Sequence, residues 1–297
     1  MIVCLAANPS IDRLFEVESL TAGAVHRPRT FTQVAGGKGL NVARAVTTLG
    51  AEVQVVTILA GHAGRWLEEQ LEHAGIPVQA VWVDGESRSS LSVADRRRAD
   101  LTEFYEHGVP VGAEDWHRFT AAASVLSYAA AWMTVSGSVP HGAPDDGYLQ
   151  LESACALGMD TIAPRPPGAE LVKLNAAEAA HVTGIDAEST EGAIAAARAL
   201  AGSGTGVVTR GAAGAVLVAP DGVAVHGTLD APGRYPVGSG DSFLAGLVVA
   251  RAAGAGWDDA LALALGAGSA NAAVPGAACF ARSDAERLAQ RAVVTRA

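Results

Sequence analysis

The chain has 297 residues, 49% of them apolar, and a formal net charge of −10. That length allows one large α/β domain or two smaller ones, and the apolar share excludes disorder of the whole. The negative balance excludes a general nucleic-acid or membrane-surface partner, while an anionic small molecule would need only a few local cations.

The start, "MIVCLAANPS", has no basic leader and only a short apolar run, so it resembles no secretory signal and a cytoplasmic location is expected. Ser10–Val34 follows with polar, alternating text such as "RLFEVESL" and no helical pattern. In "AGGKGLNVARAVTTLG" (Ala35–Gly50), glycines lead into a helix with Lys38 and Asn41 near its start. Glu52–Leu59 reads as a buried strand, Arg65–Gly75 as a helix ending at glycine, and Val78–Val83 as another strand. Ser87–Gly108 returns to strand-like polar text. With Ser10–Val34 it is expected to form one small β layer over the site, giving a lid of residues 10–34 and 87–108 on a core of 1–9, 35–86 and 109–297. Arg96–Arg98 falls at the expected hairpin tip, where a solvated turn is the expected role of a charge run.

Further on, Ala130–Gly137 reads as a strand, and Ala163–Gly168 as a compact, proline-rich connection. "ELVKLNAAEAAHVTG" ends a strand at Lys173 and follows it with Asn175 and Glu178. Glu191–Gly202 is a helix feeding the strand Gly206–Gly211, and a hairpin turns at Asp221–Gly222. Asp241–Ala273 is mostly helix. Two charge-free stretches, Thr120–Pro140 and Ala260–Ala281, are long enough to test as membrane spans, but serines and glycines interrupt them, so buried helix and strand is expected. The alternation implies a parallel sheet with helices on both faces. The three cysteines, Cys4, Cys155 and Cys279, show no metal or disulfide spacing and are expected to be buried thiols.

"YPVGSGDSFLAG" (Tyr235–Gly246) carries the sharpest chemical signal. A dinucleotide loop would need glycine or alanine where Phe243 stands, a nucleophile elbow fits neither Ser239 nor Ser242, and the lone Gly37-Lys38 is followed by Gly39 rather than by the Ser or Thr of a Walker loop. A glycine turn opening onto the helix Asp241–Arg251 remains. Free amides and the dipole at a helix start make an anion site there. Asp241 is either a favourable first-turn acid or, in a phosphoryl-transfer site, the acceptor of a hydroxyl proton. The N-x-x-E of Asn175 and Glu178 is either a helix cap or an amide and carboxylate that orient hydrated Mg2+. The chain has only two lysines, Lys38 and Lys173, against 19 arginines, and both lie inside these stretches. A compact ammonium reaching a phosphate is one physical reason to keep Lys there.

"NPSID", "GGKGLNVA", "SGSVPHG", "LVKLNAAE" and "VGSGDSFLAG", in this order, resemble the PfkB branch of the ribokinase-like sugar kinases over nearly the whole chain. The likeness is closest to the 1-phosphofructokinase and tagatose-6-phosphate kinase group. It implies a three-layer α/β/α core with a small β lid and Mg-ATP-dependent phosphorylation of a sugar phosphate. Asp241 would be the base, and the Gly238, Ser239 and Gly240 amides the anion hole. Asp12, Gly37, Lys38, Asn41 and Ser136 would hold the acceptor, with Arg88 and Arg27 on its existing phosphate. Lys173, Asn175, Thr209, Gly211 and Gly240 would line the nucleotide side, with Glu178 and Asn175 on Mg2+ through water and Asn271 near the adenine. A homodimer through the lid is the implied partner. Two family positions differ here, with Leu174 for a usual Pro and Pro236 for a usual Thr, and the short Ala163–Gly168 segment implies an altered site wall. That segment also motivates a second class, a catalytically silent sensor of sugar phosphate or nucleotide. A nucleotide-dependent oxidoreductase, disfavoured by Phe243, is a third.

Overall fold

The computed structural model describes residues 1–296. In chain order the elements begin with β1 (Ile2–Ala6), β2 (Ser10–Val17), β3 (Thr30–Gly36), α1 (Lys38–Thr48), β4 (Val53–Ala60), α2 (Gly61–His73) and β5 (Val78–Val83). Next come β6 (Arg88–Asp95), β7 (Asp100–Tyr105), α3 (Ala113–Ser127), β8 (Trp132–Ser136), β9 (Ala156–Asp160) and β10 (Leu171–Asn175). The rest are α4 (Ala176–Thr183), α5 (Thr190–Ala201), β11 (Thr205–Thr209), β12 (Ala215–Val218), β13 (Ala224–Thr228), α6 (Ser239–Ala252), α7 (Trp257–Ala272), α8 (Arg282–Ala289) and β14 (Val293–Arg296).

Ten strands form one sheet in the order β14-β13-β12-β11-β10-β9-β8-β1-β4-β5. From β5 to β11 every pairing is parallel, and the β12, β13 and β14 edge is antiparallel. Strand alternation divides the core between the two faces. Ile2, Cys4 and Ala6 of β1 belong to one core cluster with residues of α1, α6 and α7, while Val3 and Leu5 belong to the other with residues of α3 and α5. Both faces are therefore apolar, which is why the strands read as continuous hydrophobic runs. The mixed α/β architecture expected from the alternation is the one observed.

Two crossovers depart from the usual helix-bearing connection between parallel strands. Between β8 and β9 the chain makes only a 3-10 turn at Gly147–Gln150, and between β9 and β10 it makes no helix. Tyr148, fully buried, packs edge-on against Trp116 at 5.2 Å between ring centroids and fills part of the space a helix would occupy.

The segments 10–34 and 87–108 supply a second, four-stranded sheet in the order β3-β2-β6-β7. No helix among the described residues is long and apolar enough to cross a membrane; Thr120–Pro140 divides into the end of α3 and β8. The expectation for the cysteines needs correction. Cys4 is buried, and burial pushes its thiol up to about 12, but Cys155 is half-buried and Cys279 is exposed.

Candidate active site

At the carboxyl ends of the parallel strands, where open α/β sheets place their ligands, a cleft of about 770 Å³ opens between the large sheet and the small one. Four stretches meet in it: the turn before α1, the ends of β9 and β10, the turn before α6, and strands β2 and β6 of the small sheet.

The turn before α6 is built on Gly238, whose φ of 83° lies in the left-handed region that glycine enters without strain. An added Cβ would also sit 2.6 Å from the Ala277 Cβ. The amide of Ser239 is already spent, donating to the Pro236 carbonyl at 3.0 Å. Its hydroxyl accepts from the Asn271 amide at 3.0 Å. The amides of Gly240 and Asp241 make no hydrogen bond among the described residues and stand at the positive end of α6. The expected anion hole is corrected at one position: Ser239 ties the turn together, and the amides of Gly240 and Asp241 are the free donors. An added Cβ at Gly240 would lie 2.8 Å from the Lys173 ammonium, which would then have to shift.

Asp241 is buried, and its Oδ2 accepts from Asn41 Nδ2 at 2.8 Å. Burial, reinforced by the charge of Asp160, raises its carboxyl to about 6, against the opposing pull of Lys173, Asn41 and Lys38. Asn41, expected on the acceptor, thus spends this amide N–H on the acid, while its Oδ1 accepts from Arg44 at 3.4 Å. Arg44 in turn donates to the carbonyls of Ala277 (2.7 Å) and Ala35. Asn271 is buried and does not line the cleft. Its amide donates to the Val237 carbonyl and its Oδ1 accepts from the Ala278 amide, at 2.9 and 2.6 Å. The expectation that it approaches an adenine is corrected: its polar atoms are consumed in pinning the glycine turn to the loop after α7.

The two lysines converge. Lys173 Nζ lies 2.9 Å from Asp160 Oδ2, and Lys38 Nζ lies 3.4 Å from Asp160 Oδ1 and 3.0 Å from Glu178 Oε1. Burial alone would raise Asp160, but the ammoniums of Lys173 and Lys38 outweigh it and hold this carboxylate below its ordinary value. Burial would likewise lower Lys38, yet Asp160, Glu178 and Asp241 hold it above. Asp160, which lines the cleft and pairs with both lysines, is a residue that sequence reasoning missed. Asn175 and Glu178 form a reciprocal capping box at the start of α4, at 2.8 and 3.0 Å, so the helix-cap reading of N-x-x-E holds, while Glu178 also reaches the cleft through Lys38.

On the small sheet, Asp12 accepts from the Gly37 amide (3.1 Å), from Ser90 Oγ (2.7 Å) and from Ser10. Arg88 lines the cleft and donates to the Asn8 carbonyl at 3.2 Å. Ser136 lines it too, with a buried hydroxyl that has no partner among the described residues. Thr209 and Gly211 line the cleft as well. Arg27 is exposed in the loop after β2 and does not line the cleft, so its expected place in the site is corrected.

Residues 1–282 match the family described as pfkB family carbohydrate kinase. The chain belongs to the pfkB family. Members are phosphotransferases with an alcohol group as acceptor, and this assignment accounts for an acid, two lysines and free helix-start amides meeting in one cleft. The 1-phosphofructokinase of Haloferax volcanii is 31% identical over 271 residues, covering 88% of this chain and 87% of that protein. The 1-phosphofructokinase of Rhodobacter capsulatus is 29% identical over 273 residues, covering 85% and 84%. Among solved structures, a possible 1-phosphofructokinase from Thermotoga maritima superposes with a TM-score of 0.87 at 19% identity, covering 100% of this chain and 99% of that one. A phosphofructokinase-2 from Escherichia coli in complex with potassium gives 0.86 at 22%, covering 97% and 98%. These two likenesses bear on the fold alone. They agree with the α/β fold of this chain, whose small sheet stands apart from the large one.

Proposed function

We propose that this pfkB-family kinase transfers the γ-phosphoryl group of ATP to a hydroxyl of a sugar that already carries a phosphate. Fructose 1-phosphate, giving fructose 1,6-bisphosphate, is the first acceptor, with fructose 6-phosphate and tagatose 6-phosphate behind it. The observation that carries this reading is the buried Asp241, held by Asn41 beneath the glycine turn, in one cleft with Lys38, Lys173 and Arg88. The names of the curated relatives support the choice of fructose 1-phosphate.

In the proposed reaction Asp241 accepts the proton of the acceptor hydroxyl as the new O–P bond forms and the bond to the β-phosphate oxygen breaks, releasing ADP. The free amides at the start of α6 and the two ammoniums face the charge that accumulates on the phosphoryl oxygens. Asp12, fixed by three donors, aligns sugar hydroxyls, and Arg88 pairs with the acceptor's phosphate. The small sheet would act as the lid over the acceptor.

No group of three His, Cys, Asp or Glu side chains able to enclose a metal occurs among the described residues. Glu178 is already engaged by Lys38 and the Asn175 amide. Such a donor set fits Mg2+ that keeps most of its waters, with Asn175 and Glu178 as outer partners. When bound, Mg2+ would neutralise charge on the β- and γ-phosphates. Chelation should stop ADP release and added Mg2+ should restore it; turnover unaffected by chelation would overturn the metal assignment.

A homodimer through the lid is the partner reading. Strand register places Phe15, Phe31, Leu91 and Phe104 on one face of the small sheet, and Phe31 and Phe104 are exposed. A second copy covering this face would remove them from water. Purified protein should sediment as a dimer; a monomer at micromolar concentration would contradict it.

A further inference from the structure

A second cavity of about 850 Å³ lies beside the candidate active site, between the small sheet and the segments 233–237 and 276–277. Four residues line both spaces: Asp12, Pro236, Val237 and Tyr105. Three of them have other work, since Asp12 is pinned by its donors and Pro236 and Val237 belong to the glycine turn. Tyr105 ends β7 and, among the described residues, is the only aromatic side chain common to the two.

Its placement is dictated by register. Asp12 of β2 pairs with Ser90 of β6, and Ser90 pairs with Tyr105 of β7, so the three form one row across the small sheet on the cleft side. Arg88, two residues before Ser90, shares that face. The tip of the ring meets a neighbour on its own strand. Tyr105 Oη donates to Glu103 Oε1 at 2.7 Å, and the same carboxylate oxygen accepts from Ser92 Oγ at 3.2 Å. Tyr105 is 61% exposed, and its partial desolvation together with the Glu103 carboxylate raises the phenol.

We propose that Tyr105 is an acceptor-specificity residue, its ring forming the partition that closes the acceptor site against the second cavity. The ring leaves room beside Asp12 and Arg88 for a single phosphorylated sugar and shuts out a phosphosugar extended by a second ring. The apolar face of the ring does the selecting, and the solvent-exposed bond to Glu103 adds little to its hold. This inference rests on the sugar-phosphate kinase reading.

The test compares wild type, Tyr105→Phe and Tyr105→Ala. Each is titrated calorimetrically with fructose 1-phosphate and with sucrose 6-phosphate, a phosphosugar carrying a second ring. ADP release and the KM for ATP are measured alongside, and melting temperature checks folding. Tyr105→Phe should bind fructose 1-phosphate within about twofold of wild type, whereas Tyr105→Ala should bind it about tenfold more weakly, the loss expected for one aromatic contact. Only Tyr105→Ala should gain affinity for sucrose 6-phosphate, with the KM for ATP unchanged. Unaltered selectivity in Tyr105→Ala overturns the partition, as does an equal loss in Tyr105→Phe or a matching rise in the KM for ATP. If wild type binds fructose 1-phosphate but releases no ADP, the kinase reading fails while the titrations still decide the partition. If wild type binds neither sugar, both fail.

Discussion

Burial and the charge of Asp160 lift Asp241 to about 6, so the carboxylate needed to take a proton disappears as the medium becomes more acid than that value. The kcat/KM for the acceptor should therefore fall with decreasing pH below about 6, and a profile flat down to pH 5 would contradict the role of Asp241. Stability carries the opposite sign. The folded value stands above the ordinary 3.8, so the folded state holds this proton more tightly. The resulting stabilisation is complete below 3.8 and is lost as pH rises through about 6. Asp241→Asn should thus melt higher than wild type at pH 8 while turnover drops by about 10²–10⁴-fold, as read by thermal denaturation and ADP release. Asp160→Ala should instead destabilise the fold. It strips the buried Lys173 of its counter-charge and should cost on the order of 3 kcal/mol, read by urea denaturation. Asp241 and the lysines were legible because each sits in a local glycine or strand-end pattern. Asp160 was not: its partners lie 13 and 122 positions away, and "GMD" carries no spacing of its own.

At the scale of elements, the turn before α6 shows how a short pattern fixes geometry. Gly238→Ala should force a side chain into the left-handed region and against Ala277, displacing the Gly240 amide. Loss of nucleotide affinity with Asp12 and Arg88 untouched is the expected result; unchanged ATP binding would show that the turn is not on the nucleotide side. Helices and strands with strong local periodicity, such as Val78–Val83, fall where the sequence puts them, and Glu191–Gly202 is shifted by one residue to Thr190–Ala201. The short connection Ala163–Gly168 was visible from its prolines. The missing helix between β8 and β9 was not, because the packing of Tyr148 against Trp116 of α3 joins residues distant in sequence. Leu174 in place of a family proline sits buried in the central strand β10, where an N–H can join the ladder.

For the whole molecule, alternation of strand and helix was enough to imply a parallel sheet covered on both faces, and the order of five motifs gave the family. Neither placed Arg27, which lies away from the cleft, or Asn271, whose role depends on a loop brought back by the end of α7. The apolar face of the small sheet belongs to this scale as well. Replacing Phe31 and Phe104 together with Asp should shift the sedimenting species toward monomer without lowering the melting temperature of the core transition; an unchanged dimer would place the interface elsewhere.

The central claim is the transfer of phosphate from ATP to an already phosphorylated sugar. ADP release across fructose 1-phosphate, fructose 6-phosphate, tagatose 6-phosphate, fructose, ribose and adenosine tests it most directly. The three phosphorylated ketohexoses should react far faster than the free compounds, with fructose 1-phosphate fastest. Equal rates on ribose or adenosine, or no ADP release with any phosphosugar, would contradict it.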